Sequence, residues 1–162
     1  MPTEISGSTG VNKIQSSAIE YGDLPTGSVL QVVHGLSQTI ATTTSNTAFA
    51  STGVTATITP SSTSSKIWIM TKTTGLGTSA TDTLTAIFRG TVSGTNLTGN
   101  GSTKYNHSNS EPSDMVNTYL DSPSTTSATT YTLGIKSSVN GQTATANTAS
   151  TDGVITLMEI AG

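Results

Sequence analysis

The stretch Thr55–Met70, T-A-T-I-T-P-S-S-T-S-S-K-I-W-I-M, decides how the rest of the chain is read. Its first half alternates, with Ala56 and Ile58 on one face and Thr55, Thr57 and Thr59 on the other. Alternation of this kind marks a strand with one wet face. Pro60 ends the ladder because it has no N–H to donate, and Ser61–Ser65 follows as a polar turn. Ile67-Trp68-Ile69-Met70 is apolar on both faces and reads as a strand buried on both sides. The single tryptophan lies there, so Lys66–Lys72 is predicted to be the centre of the core.

Composition supports a β protein. The 162 residues fit one domain. There is no cysteine, so neither disulfides nor thiolate metal sites hold the fold. Charged residues are only 9% and Ser plus Thr make up roughly a third of the chain. Disorder usually brings high charge and few β-branched residues, whereas Thr, Val and Ile dominate here and suit a pleated surface. The net charge of −3, with six scattered Lys and Arg, offers no face for nucleic acid. No apolar run approaches the roughly 18 residues of a membrane-spanning helix, and residues 1–24 lack the charged start and apolar block of a signal peptide. The expectation is a chain that stays in the cytoplasm where it is made, or is assembled there into something larger. Hydrophobic residues at 32% and aromatics at 4% predict a thin core that gains from oligomerisation.

Residues 1–23 differ from the rest. Ile5, Val11, Ile14 and Ile19, with Tyr21, follow neither the helical nor the strand period. They are predicted to form an extended arm ordered against a partner. Residues 24–162 then form the folded domain. Strands are expected over Ser28–Gly35, Gly53–Thr59, Lys66–Lys72, Asp82–Arg89, Asp114–Leu120, Thr129–Ser137 and Val154–Ile160. Phe49 is expected to anchor the core. In Asp82–Arg89, Leu84, Ala86 and Phe88 are predicted to point inward and Thr83, Thr85, Ile87 and Arg89 outward. Thr91–Ser113 reads as an exposed excursion, and Asn140-Gly141 as a turn. About eight strands at this spacing predict an antiparallel β-sandwich, jelly-roll-like. Trp68, Phe88, Tyr131, Leu133 and Leu157 should share one core.

No catalytic constellation is legible. His34 lies on a strand face with no motif around it, and the serine-glycine clusters at Gly7–Gly10 and Gly99–Ser102 do not fit a nucleophile elbow. Two histidines and nine dispersed carboxylates never reach metal-ligand spacing, so neither metal nor cofactor is expected. Asp82, Asp121 and Asp152 read as strand-side hydrogen-bonding residues. Asn96, Asn100, Tyr105 and His107 mark the excursion as a candidate exposed contact loop.

Several blocks carry a resemblance: Gly10–Gln15, Leu24–Val33, Ile58–Ile67, Tyr119–Pro123 and Ile155–Ile160. Together they resemble small β-rich structural proteins of tailed bacteriophages, especially those of cyanobacteria and other aquatic hosts. The resemblance implies a non-enzymatic virion surface protein with a β-sandwich. The expectation is a capsid decoration (cement) protein, a homotrimer gripping the major capsid protein or another virion protein with its arm. The alternative is a short tail fibre or spike that binds a host glycan. Partners in nucleic acid or membrane are not expected.

Overall fold

The computed structural model describes residues 23–77, 81–99, 103–106 (backbone only), 112–148 and 152–162. The residues expected to form the arm, Ile5, Val11, Ile14, Ile19 and Tyr21, lie outside the described residues, as do Asn100, His107 and the side chain of Tyr105.

In chain order the strands are β1 (Val29–Ser37), β2 (Ala41–Thr43), β3 (Ala50–Ile58), β4 (Lys66–Gly77), β5 (Asp82–Arg89), β6 (Thr95–Asn96), β7 (Thr103–Asn106), β8 (Ser113–Asp121), β9 (Thr129–Ser137), β10 (Ala144–Ala146) and β11 (Gly153–Ile160). They make two antiparallel sheets packed as a sandwich, of six and five strands. The seven strands expected from alternation are all present.

Several short strands are halves of broken longer ones. β11 pairs with Lys66–Lys72 of β4, and β10 continues along the same edge at Gly75–Gly77. β1 lies beside β11 and β2 beside β10 in the same way. The larger sheet therefore runs β8, β4, β11 with β10, then β1 with β2. In the smaller sheet β9 lies between β3 and β5, and both β6 and β7 line the far side of β5. The predicted excursion is thus partly sheet. Leu97 in it donates its N–H to the Ile87 carbonyl at 2.9 Å and packs against the core.

The breaks meet at Asn147, which is buried and has a left-handed φ of 58°. Its side-chain N–H groups donate to the carbonyls of Thr39 and Thr52, each at 2.8 Å, and its Oδ1 accepts from the Thr73 hydroxyl at 2.8 Å. One side chain thereby closes the gap between β1 and β2, joins β4, and ties on β3 of the other sheet. Asn tolerates left-handed backbone better than other L-residues with a Cβ.

The core consists of Val54, Ala56 and Ile58 from β3, Ile67 and Ile69 from β4, Ile87 from β5, Tyr131 and Leu133 from β9, and Ile155 and Leu157 from β11. Tyr131, Leu133 and Leu157 stand where expected, but Trp68 and Phe88 do not. Trp68 points out of the larger sheet and is 38% exposed, while its neighbours Ile67 and Ile69 are fully buried. A strand places every second residue on the same face, so Trp68 shares its side with Lys66, Met70 and Lys72. β5 is likewise turned over relative to the sequence expectation. Ile87 is in the core, and Thr85 accepts a hydrogen bond from Asn117 across the sandwich at 2.9 Å.

Phe88 and Phe49 form a separate cluster on the outer side of the smaller sheet, with ring centroids 5.1 Å apart, edge to face. Phe49 is therefore not an anchor of the main core. The Lys136 ammonium lies 4.9 Å from the Phe49 ring centroid. Gly134 makes room for the cluster, because a Cβ there would lie 2.8 Å from the Phe88 ring. The cluster needs a residue without a side chain beneath it, and β9 supplies one.

Candidate interaction face

The outward residues of the larger sheet fall into register across four strands. Val32 of β1 lies opposite Met158 of β11, which is opposite Trp68 of β4, which is opposite Leu120 of β8. Two residues further along, His34, Thr156, Met70 and Thr118 form a parallel row, and Leu36, Val154, Lys72 and Val116 a third. Val32 and Leu36 are each 57% exposed, and Met70, Val116 and Leu120 are exposed as well. The exposed parts of these five side chains and Trp68 amount to roughly 500 Å² of apolar surface, near the upper end of what a soluble monomer shows in one patch. Polar groups lie within the patch and beside it: His34, Thr156 and Thr118 flank Met70 in the middle row, and Lys72 stands between Val154 and Val116 in the third. Lys66 lies beyond Trp68 on β4, and Lys72 pairs with Asp114 at 3.2 Å. Apolar side chains including Trp and Met, interleaved with the polar groups of His34, Thr156 and Thr118, make a mixed surface of the kind found at protein contacts.

The outer side of the smaller sheet has a different chemistry. A shallow groove of about 290 Å³ there is lined by Ser51, Thr55, Thr91, Val92, Thr130 and Thr132. Its hydroxyls are engaged within the protein. Thr55 donates to the Tyr131 carbonyl at 2.9 Å, Thr132 donates to the Gly90 carbonyl at 2.7 Å, and the hydroxyls of Thr57 and Thr130 bond to each other at 2.7 Å. The threonines that dominate the composition thus brace neighbouring backbone and each other.

Of the buried carboxylates Asp82, Asp121 and Glu159, the last two are held by several partners each. Asp121 of β8 receives the Arg89 Nε–H at 2.8 Å and a second guanidinium N–H, and also the Tyr131 hydroxyl at 2.7 Å. The hydrogen bond to Asp121 raises the Arg89 pKa. Burial, followed by the bond to Asp121, pushes the Tyr131 phenol well above its ordinary value, so it stays neutral. Glu159 of β11 is fully buried and accepts the Ser61 N–H at 2.7 Å, the Ser61 hydroxyl, and the Gln31 side-chain N–H at 2.6 Å. Burial alone would raise the Glu159 pKa. The donors from Ser61 and Gln31 outweigh it, and the carboxyl lies below its usual range. Ile67 stands between the two carboxylates in register, which separates their strands by roughly 10 Å. Both act as ties inside the fold, joining its layers or its turn.

The Glu159 tie joins three of the sequence blocks that carry the resemblance, and Asp121 of a fourth lies in register with it across Ile67. Gln31, Ser61, Asp121 and Glu159 each come from a different block, and the registers of β1, β4, β8 and β11 bring them to one end of the sandwich. Of the predicted contact loop, Asn96 has its side chain among the described residues, and it is not brought together with them. Asn96 is exposed on β6 and holds a local turn, accepting the Thr98 N–H at 3.1 Å and donating to the Gly99 carbonyl. His34 lies on the larger sheet's outer face, its Nδ1 3.2 Å from the Thr156 hydroxyl. Among the described residues, no three His, Asp, Glu or Cys side chains are grouped to hold a metal ion.

Sequence reasoning missed the apolar face, although one signal for it was available. Lys66, Trp68, Met70 and Lys72 share a period of two, so the tryptophan goes wherever the two lysines go. No protein-family model and no curated protein matches this sequence, and its role is read from the geometry above and the resemblance of its blocks.

Proposed function

We propose that this chain is a non-enzymatic structural protein of a tailed-phage particle, and within that class a capsid decoration protein that binds the assembled head. The observation that carries the structural reading is the apolar outer face of the larger sheet, set beside buried carboxylates that are saturated within the fold. Such a molecule is equipped to adhere, because its unsatisfied surface is hydrophobic and its buried acids are engaged. The virion reading rests on the sequence blocks, four of which lie at one end of the sandwich. The strand order supports the jelly-roll form of the fold. β1, β11, β4 and β8 lie in one layer and β3, β9, β5 and β7 in the other, with most connections crossing between layers.

In this reading the arm, residues 1–23, holds the protein to the shell. A protein that binds only the assembled shell stabilises it by mass action. The decisive experiment is to count copies in purified particles by quantitative mass spectrometry, with cryo-electron microscopy to place them. Hundreds of copies over the head are expected. A dozen or so at the tail, with particle heat resistance unchanged by their loss, would overturn the decoration reading in favour of a fibre.

A further inference from the structure

We propose that the outer face of the larger sheet is covered by a second copy of this chain, sheet against sheet across a two-fold axis. The inference concerns the isolated chain and is independent of any particle.

Area is the first argument. Two faces of roughly 500 Å² of exposed apolar surface, brought together with their rims, reach about 1,200 Å², the lower bound of a stable specific interface. The face also includes half-buried Val154, Met158 and Ile160, which fill the spaces between the exposed side chains. The other exposed large apolar residues, Val29, Ile40 and Val139 among them, lie outside these rows.

Shape and charge are the second argument. The rows run across four paired strands of eight to twelve residues, a broad regular surface of the kind that packs on another sheet about 10 Å away. Two such faces can meet without strong like-charge repulsion, because Lys72 is already paired with Asp114 and the row through Val32, Met158, Trp68 and Leu120 carries no charged side chain. An acidic or basic partner would find little there to recognise.

The third argument is symmetry. One patch that complements itself closes across a two-fold axis, whereas a ring of three needs two different complementary surfaces on each subunit. The described residues offer one such patch, so the inference here is a pair in place of the expected trimer.

Trp68 is the only tryptophan in the chain and sits within the face, so it reports on this contact directly. The test follows the full-length protein by sedimentation velocity from below to well above micromolar concentration, together with tryptophan emission and iodide quenching. A monomer–dimer transition is expected, with blue-shifted emission and loss of quenching along the same concentration curve. Met70→Glu and Leu120→Glu, outward and exposed in the wild type, should each weaken the dimer by about 30-fold or more. Ile40→Glu, exposed elsewhere, should leave the dimer unchanged. A protein that stays monomeric would overturn the proposal and give the face to a different partner. A trimer, or a dimer in which Trp68 remains as quenchable as in the monomer, would overturn it too, and neither readout depends on a variant folding.

Discussion

Ser61 and Glu159 stand 98 residues apart in the chain, and the Ser61 N–H donates to Glu159 Oε1 at 2.7 Å. The contact fastens the turn after β3 to the last strand, and Gln31 adds the first strand to the same carboxylate. It converts a buried acid, costly when alone, into a three-way tie between the start, middle and end of the sandwich.

The tie makes stability depend on pH. Because the folded Glu159 pKa lies below the usual carboxylate range, the folded state binds this proton less readily than the unfolded chain does. Its stabilisation is fully present above about pH 5 and is lost as the pH falls through the lower folded value. Glu159→Gln should cost about 1–3 kcal/mol at neutral pH and flatten this part of the profile. Thermal melts of both proteins from pH 7 to pH 3 check it. Parallel profiles would refute the assignment.

Trp68 and Ile69 are neighbours with opposite fates, and their alanine variants should separate. Ile69→Ala removes a fully buried core residue and should cost about 2–5 kcal/mol. Trp68→Ala, on the outer face, should cost less than about 1.5 kcal/mol in the monomer. Urea denaturation at low protein concentration measures both. Equal losses would mean that Trp68 is a core residue after all.

Asn147 is the polar hub of the broken strands, so truncating it should be costly. Asn147→Ala strands buried partners on Thr52 and Thr73, removes the bond to the Thr39 carbonyl and strains a left-handed backbone. The expected loss is about 3 kcal/mol or more. Asn147→Gly relieves the backbone alone, so it should recover only part. Full recovery in chemical denaturation would show that conformation, and not the bonds, is what matters.

Thr71 faces inward on β4 between Ile155 and Asn117, and its buried hydroxyl has no hydrogen-bond partner among the described residues. Thr71→Val keeps the shape and removes the unsatisfied group, which should raise stability by about 1 kcal/mol. A higher melting temperature is expected. A lower one would point to a buried water bound to the hydroxyl.

The strands were legible in the sequence because alternation and turn residues are local. Ser28–Gly35, Gly53–Thr59 and Val154–Ile160 announce themselves residue by residue. So does the polar turn after Pro60. Which face of a strand is buried is a local matter only when one face is plainly polar. In β5 both faces carry apolar residues, and the choice fell to distant groups. Arg89 finds Asp121 across the sandwich, and bare Gly134 accepts the Phe88 ring outside it. The short strands β2, β6 and β10 were hidden for the same reason, since their composition is that of loops and only a neighbouring edge makes them sheet.

The candidate face lay further still from the sequence. Val32, Trp68, Leu120 and Met158 are unremarkable apart, and they become one surface only through the registers of β1, β11, β4 and β8. The sequence by itself determined an all-β chain with strands at these places, because side-chain period is a property of the backbone. Only the tertiary structure decided which residues meet, because pairing register and sheet packing are set by contacts between segments far apart in the chain.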